Sequence, residues 1–469
     1  MDGRSTDPFP LPGQPSGMTH FPPPSAFDDR FSYQEQWDAY KDAQPNHIVL
    51  FDAVFYNPSE SDTGRQLLAA CGSNGVLYVW EVPSPRVLDD CDSRMVDSYV
   101  SHYRAGPPNT DREEDDENFF PIHSIPISKS VLYRLRFHRK QKRTLLFVSG
   151  DEGVLVFHWD DLLSQGVSGK TTVPPISKFQ PYPSPYSSYV EVNDMCVHGE
   201  YLYAAPGDSF GCYKWNLETE QLVTIYKTSL ANNNNGIGYL HTVSSAATKT
   251  NSSNLILTGG EDGILSIWDA QQDRLVESID MSSHTSKDDH HQSSKGLSPS
   301  GIGKMRSTSA SGAKRLISTS AVVDENWWVV AGGSGSSISS FPSRQWQRQQ
   351  KRTSENGYIA TLYAPTRQVI KTVDTRESIK QIDLLCEDHS DPTTTTLLSV
   401  GNESVVSQWH PVSLERTKRV PTSLACSYGI AVSNTSDYVA IAGVGDYVDL
   451  YTQNGTEQLV RLQCGPRKK

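Results

Sequence analysis

One segment shape recurs seven times along this chain and constrains its fold more than any other feature. Each copy holds an apolar stretch that ends at glycine, a short polar turn, and a second stretch that alternates up to an aromatic residue. The copy at 255–268 reads Leu-Ile-Leu-Thr-Gly-Gly-Glu-Asp-Gly-Ile-Leu-Ser-Ile-Trp. Alternation with a period of two indicates a half-buried strand, and glycine and aspartate in the turn favour a tight hairpin. Each copy therefore predicts a β-hairpin.

The aromatic residues that close the seven copies are candidate structural anchors. They are Trp80, Trp159, Trp215, Trp268, Phe341, Trp409 and Tyr451. A further apolar stretch precedes each hairpin and a short one usually follows it, which predicts four strands in each unit. Seven such units are too many for one β-sandwich, and they fit an all-β, seven-bladed β-propeller. Trp268-Asp269 after Glu261-Asp262-Gly263 is a WD-repeat signature, so we expect a propeller of the WD40 type.

The spacing of these aromatics predicts where the propeller carries additional chain. The spacings are 79, 56, 53, 73, 68 and 42 residues, whereas a WD-type blade needs about 40–45. We place the excess in long inter-blade insertions at 89–127, 281–312 and 343–357. Residues 1–45 form a Pro-rich segment, 46–463 the propeller and 464–469 a tail. Because the N-terminal segment and the insertions cannot bury enough apolar surface to order them, we expect disorder or mobile loops there.

Charge limits the partners that the whole surface can bind. The chain has 42 Lys and Arg against 54 Asp and Glu, a formal net charge of −12. Tight binding of nucleic acid requires neutralised phosphates, which an acidic surface does not provide. The insertion at 343–357 is a local exception, and its candidate RNA or phosphate contacts are Arg344, Arg348, Lys351 and Arg352. The alternative is a solvated loop without a ligand, so we expect weak RNA binding at most.

Motifs for catalysis or cofactors fail when their structural context is considered. Residues 207–211, Gly-Asp-Ser-Phe-Gly, match a hydrolase pattern but fall on a hairpin turn rather than between a strand and a helix. Residues 169–171 resemble the end of a phosphate loop, but its first glycine is replaced by Ser164. We therefore predict no enzyme activity, no cofactor, no metal and no small-molecule substrate.

Membrane and secretory features are also missing from the sequence pattern. No apolar run reaches the length that a membrane span needs, and the N-terminus does not read as a secretory signal. The seven cysteines are scattered and none forms a CxxC pair. This usage is typical of reduced thiols in the nucleus or cytosol.

Several runs of residues resemble a known family. Residues 191–195 (Glu-Val-Asn-Asp-Met), 239–244 (Tyr-Leu-His-Thr-Val-Ser) and 255–269, which end in Ile-Trp-Asp, are similar to the THO complex subunit 6 family. Proteins of that family are nuclear WD-repeat subunits of the THO/TREX assembly, which couples transcription and mRNA processing to nuclear mRNA export. The resemblance implies a non-catalytic scaffold whose partners are other THO/TREX protein subunits. It implies no contact residues.

A second function remains open for a propeller of this type. Some WD40 proteins are substrate receptors of cullin–RING E3 ubiquitin ligases, and these often carry Trp-Asp-x-Arg on a blade. Here Gln271 stands where the arginine would be. This difference weakens the adaptor interpretation without removing it.

Overall fold

The structure is a computed structural model of the 469-residue chain. It describes residues 48–56, 66–82, 120–140, 143–166, 173–182, 191–207, 211–227, 239–247, 254–284, 314–335, 356–386, 394–433, 437–452 and 458–464. The predicted N-terminal segment 1–45 lies outside the described residues, as do residues 465–469 of the predicted tail. The boundaries of the predicted propeller domain stay a prediction.

Within these ranges, 28 strands form seven four-stranded antiparallel sheets, each in chain order. We call the sheets blades 1 to 7 and number the strands β1 to β28. Blade 1 holds β1 (Leu50–Tyr56), β2 (Leu67–Gly72), β3 (Val76–Glu81) and β4 (His123–Pro126). Blade 2 holds β5 (Leu132–Lys140), β6 (Arg143–Gly150), β7 (Gly153–His158) and β8 (Ser177–Phe179). Blade 3 holds β9 (Val192–His198), β10 (Tyr201–Pro206), β11 (Gly211–Asn216) and β12 (Leu222–Lys227).

The remaining four blades follow the same plan. Blade 4 holds β13 (Leu240–Ser245), β14 (Leu255–Gly260), β15 (Ile264–Asp269) and β16 (Arg274–Asp280). Blade 5 holds β17 (Lys314–Val322), β18 (Trp327–Gly335), β19 (Gly357–Tyr363) and β20 (Gln368–Thr375). Blade 6 holds β21 (Ile379–Cys386), β22 (Thr395–Gly401), β23 (Val405–Trp409) and β24 (Arg416–Pro421). Blade 7 holds β25 (Ser427–Val432), β26 (Tyr438–Gly443), β27 (Tyr447–Thr452) and β28 (Gln458–Gln463).

The first strands of neighbouring blades contact one another in a closed ring, from β1 through β25 and back to β1. The predicted seven-bladed propeller is therefore confirmed. Blades 7 and 1 join without exchanging a strand. They share one apolar cluster, a bridge between Val49 and Val444, and a hydrogen bond of 3.0 Å from Trp80 Nε1 to the carbonyl oxygen of Gln463.

The third strand of blade 5 is not the strand that the sequence pattern predicted. The predicted hairpin ended at Phe341, but β18 pairs with β19, and Trp328 lies opposite Leu362. Phe341 lies outside the described residues. All of the predicted insertion at 343–357 except Gly357 falls in the connection between β18 and β19. The physical reason is that Ser-Ser-Ile-Ser-Ser at 336–340 offers one apolar side chain, whereas Gly357–Tyr363 offers a buried strand.

Two predictions in the first blades were also wrong in detail. The predicted insertion 89–127 contains β4, which pairs with β3 because Ile125 joins the apolar cluster between blades 1 and 2. In blade 2 the third strand ends at His158, and Trp159 begins a helix, α1 (Trp159–Gly166). Phe157 takes the register position opposite Leu146. Trp159 is nevertheless fully buried and its ring lies 4.9 Å from that of Phe137.

The described members of the predicted aromatic set are all buried. Trp80, Trp159, Trp215, Trp268, Trp409 and Tyr451 are each at most 5% exposed. Trp268 shows what holds such a ring in place. Its Nε1 donates a hydrogen bond of 2.9 Å to Thr258 Oγ1, and its ring stacks on Tyr226 of blade 3 at 4.9 Å and 9°. The indole thus joins two strands of its own blade to the neighbouring blade.

We expect Trp268→Ala to lower the free energy of unfolding by about 3–5 kcal/mol, the scale for emptying a large aromatic site. Loss of the Tyr226 stack and an unpaired Thr258 hydroxyl add to the vacated volume. The measurement is chemical denaturation of the purified protein. Leu275→Ala is the matched control, because Leu275 lies opposite Trp268 on β16 and is 47% exposed. Equal losses in both variants would contradict the anchoring role.

Candidate functional site

A β-bulge near the start of every first strand shapes the mouth of the central channel. In each blade one residue of the first strand has no partner in the register with the second strand. The extra residue bends the strand and redirects its side chain. These bulge residues are Phe51, Tyr133, Asn193, His241, Ser318, Lys380 and Tyr428.

The bulge side chains link neighbouring blades around the mouth. The ring of Phe51 lies 5.4 Å from Tyr133 and 5.3 Å from Tyr428, so three aromatics span blades 7, 1 and 2. Asn193 Nδ2 donates a hydrogen bond of 2.8 Å to the carbonyl oxygen of Leu240. Ser318 Oγ donates a hydrogen bond to the carbonyl oxygen of Ile379 in blade 6. The mouth is therefore aromatic on one side and polar on the other.

Behind the mouth, the channel holds a buried carboxylate between two guanidinium groups. Asp52 Oδ2 accepts hydrogen bonds from the backbone N–H of Leu135, at 2.8 Å, and from Arg136 Nη1, at 3.1 Å. Arg134 Nη1 lies 3.6 Å from Asp52 Oδ1. Burial raises the pKa of Asp52, and the two arginines oppose that shift without cancelling it.

Asp194 extends this network to blades 3 and 4. Its Oδ1 accepts a hydrogen bond of 3.2 Å from Arg136 Nη2, and its Oδ2 accepts one of 3.0 Å from the backbone N–H of Val243. Thr242 Oγ1 lies 3.2 Å from the same Oδ2. Burial alone would lower the pKa of Arg136, but Asp52 and Asp194 raise it overall, so this guanidinium stays charged.

Gln381 and Asp383 connect the network to blades 6 and 7. Arg134 Nη1 donates a hydrogen bond of 2.6 Å across the channel to Gln381 Oε1. Gln381 Nε2 donates to the carbonyl oxygen of Ile430 at 3.2 Å. Asp383 Oδ2 accepts a hydrogen bond of 3.1 Å from the backbone N–H of Val432. Burial raises the pKa of Asp383 to about 6, although the backbone hydrogen bonds favour its ionised form.

The carboxylates and guanidinium groups of the network pair with one another and with backbone N–H groups. Each carboxylate accepts hydrogen bonds from a first strand of the next blade, so the charges hold blades in register. A cavity of about 140 Å³ remains beside the network, lined by Arg136, Asp194, Thr242, Ser244 and Ser320. Ser244 Oγ and Ser320 Oγ lie 2.7 Å apart and form a hydrogen bond with each other.

The described residues offer little to metal or thiol chemistry. Among them, no group of three or more His, Cys, Asp or Glu is placed to hold a metal ion. The six cysteines in the described ranges form no disulfide, and burial raises the pKa of Cys71, Cys196 and Cys464. No helix in those ranges is long and apolar enough to cross a membrane.

The predicted and observed site residues differ. The predicted RNA contacts Arg344, Arg348, Lys351 and Arg352 lie outside the described residues, and they stay a prediction. Sequence reasoning missed the channel network altogether. A signal for it existed, since Asp52, Arg134 and Asp194 are charged residues at the same position of three first strands.

Comparison with known proteins gives one sequence relative and a structural neighbour. No protein-family model matches the chain. THO complex subunit 6 of Arabidopsis thaliana is 28% identical over 170 residues, which are 34% of this chain and 43% of the plant protein. The chain therefore spans less than half of that relative's length. The WD40 β-propeller domain of Doa1, known from a crystal structure, is 11% identical with a TM-score of 0.49, covering 87% of this chain and 94% of that one.

We expect Arg136→Met to destabilise the propeller by at most about 3–5 kcal/mol, because it leaves the buried carboxylates of Asp52 and Asp194 to share the charge of Arg134. The loss should shrink as the pH falls, since a protonated Asp52 no longer needs a cation. Arg139→Met, an exposed change on the same strand, is the control and should cost less than about 0.5 kcal/mol. Urea denaturation of both variants measures the difference.

The raised pKa of Asp383 makes a second prediction about pH. A carboxyl group whose pKa is raised by folding adds stability below its ordinary pKa of 3.8 and loses it as the pH passes about 6. The wild-type protein should therefore lose about 1–3 kcal/mol relative to Asp383→Asn between about pH 4 and pH 7. Denaturation curves across this pH range decide, and a flat Asp383→Asn difference would be the contrary result.

Proposed function

We propose that this chain is a non-catalytic WD-repeat scaffold subunit of a THO/TREX-like complex. In that role it would couple transcription and mRNA processing to nuclear mRNA export. The observation that carries the proposal is the 28% identity to THO complex subunit 6 over 170 residues. That relative's printed name describes a complex subunit, and a propeller is a fold that suits several protein contacts at once.

The channel supports a scaffold role over an enzymatic one. Its charged groups are engaged with one another and with backbone N–H groups, as Asp52 and Asp194 show. A catalytic carboxylate would need to face a substrate instead. The surfaces left for partners are the channel mouth, the turns between strands and the outer rims of the blades. We therefore assign protein subunits as the partners, without a cofactor or a small-molecule substrate.

RNA contact has a limited place in this proposal. The chain's net charge of −12 opposes phosphate binding over most of the surface. The four cationic residues of the 343–357 insertion would neutralise four phosphates at most. That number gives a log–log salt slope of about −3.6 on a duplex and less on a single strand. Such binding is weak and salt-sensitive, so the partners should be held by protein contacts.

The test is affinity purification of the tagged protein from nuclease-treated nuclear extract at about 0.3 M salt, where surface charge is strongly screened. We expect THO subunits in the eluate, because an interface of standard size, about 1,200–2,000 Å² in total, withstands that salt. The matched control is a propeller carrying Trp268→Ala, whose weakened fold should lower the yield of partners.

Two other outcomes identify different functions. Recovery of a cullin adaptor in place of THO subunits would support the ubiquitin-ligase receptor. Loss of all partners after nuclease treatment, together with tight RNA binding by the purified protein at about 0.15–0.2 M salt, would make it an RNA-binding protein. Either result overturns the scaffold proposal.

A further inference from the structure

Rings fill the junctions between several neighbouring blades. Tyr226 on the fourth strand of blade 3 stacks on Trp268 of blade 4 at 4.9 Å. Phe179 on the fourth strand of blade 2 lies 5.8 Å from Trp215 of blade 3. In both cases an outer-strand ring meets the third-strand indole of the next blade. This contact closes the wedge-shaped space that two splayed sheets leave toward the rim.

The junction between blades 5 and 6 has an aliphatic residue at this position, as do the junctions that follow blades 1, 4, 6 and 7. In the strand register Val373 occupies the position of Tyr226, because it lies opposite Ile359 as Tyr226 lies opposite Cys212. A cavity of about 170 Å³ opens at this junction beside the indole of Trp409. We call this cavity and its rim the 5/6 groove.

The rim of the 5/6 groove is strongly cationic on the side of blade 6. Strand β24 reads Arg-Thr-Lys-Arg-Val-Pro, with three cationic residues and no acidic one, in a chain of net charge −12. The guanidinium of Arg416 lies 5.6 Å from the centre of the Trp409 ring, which orients it at the groove. Arg419 pairs with Glu403, and Arg376 on the opposite wall is exposed.

Acidic groups between these arginines favour a peptide over a nucleic acid. Glu377 lines the groove, and its buried Oε2 accepts no hydrogen bond from the described residues. A buried acceptor without a donor is costly and suits a backbone N–H of an incoming chain. Single-stranded RNA also needs exposed rings for stacking, and Trp409 is only 4% exposed.

We propose that the 5/6 groove binds an extended acidic segment of a partner protein. Carboxylates of that segment would pair with Arg376, Arg416 and Arg419, and its backbone would donate to Glu377. The opposite charge of groove and segment, against an acidic remainder of the surface, would orient the approach. The inference rests on the proposed role as a protein-binding scaffold, and it names the chemistry of one partner segment.

Two variants of the full-length protein test the groove from different directions. Ser407→Tyr places a ring at a β23 position that lines the cavity, and should fill it. Arg416→Gln with Arg419→Gln removes rim charge at exposed positions of β24. The matched control is Arg139→Gln with Lys140→Gln, which removes two exposed charges from the end of β5. Thermal melts establish that each variant is folded.

The probes are fluorescein-labelled peptides of about ten residues that alternate Glu with Ser or Lys with Ser, and an oligouridine of similar length. Fluorescence anisotropy is measured at about 50 mM and about 150 mM salt, because exposed charge pairs weaken with ionic strength. We expect the wild type and the control to bind the Glu peptide, and both groove variants to bind it at least about tenfold more weakly. The Lys peptide should not bind.

Three results would overturn the proposal. They are no binding of the Glu peptide to the wild type, equal binding by both groove variants, and stronger binding of oligouridine that the same variants abolish, which would make the groove a nucleic-acid site. If one variant does not fold, the other still decides. THO subunits that co-purify equally with wild type and variants would leave the scaffold role intact while removing the groove from it.

Discussion

Every blade of this protein can bury its apolar faces only against the two blades beside it, and the rest of the structure depends on that constraint. The apolar clusters accordingly combine residues of neighbouring sheets rather than of single ones. Blades 7 and 1 must also bury their apolar faces against each other, yet no strand of one blade belongs to the sheet of the other. Trp80, the shared cluster and the bridge between Val49 and Val444 close the ring. Any change that weakens one junction should therefore weaken the whole ring.

The charged network fixes the relative position in which neighbouring blades pack. Apolar contacts are non-directional, so they do not prevent neighbouring sheets from sliding. Asp52, Asp194 and Asp383 each accept a hydrogen bond from a backbone N–H of the next blade, at Leu135, Val243 and Val432. Those bonds form in one register only. Removing a carboxylate from water is costly, and the arginines offset much of that cost.

The same architecture separates the packed interior of the propeller from the surfaces that can bind partners. Outer strands would be hazardous as free edges, but those of blades 3 to 7 each carry a register shift beside the anchoring position. Such bulges discourage unspecific strand pairing. Binding is then left to side chains at the mouth, the turns and the gaps between blades. The 5/6 groove is one such gap.

Repetition in the sequence determined the fold class. Seven hairpins with alternating strands and terminal aromatics leave few architectures other than a propeller, because local periodicity decides strand and turn without reference to distant residues. The local sequence pattern predicted the wrong third strand where two segments could pair with the same second strand. In blade 5 the segment ending at Phe341 had the right spacing, but Gly357–Tyr363 had the apolar side chains that pairing with β18 could bury.

Only the tertiary structure decided where the charges lie. Asp52, Arg136, Asp194 and Asp383 are far apart in sequence, and nothing in their immediate neighbours shows that they meet in one channel. Ring closure brings them together, since the first strand of every blade faces the same axis. The groove beside Trp409 has the same origin, because Thr375 at the end of blade 5 and Arg376 meet Trp409 and Arg416 of blade 6 only in the folded chain. The local sequence pattern specifies strands and turns. Closure of the ring determines which distant side chains lie together in the same low-dielectric interior.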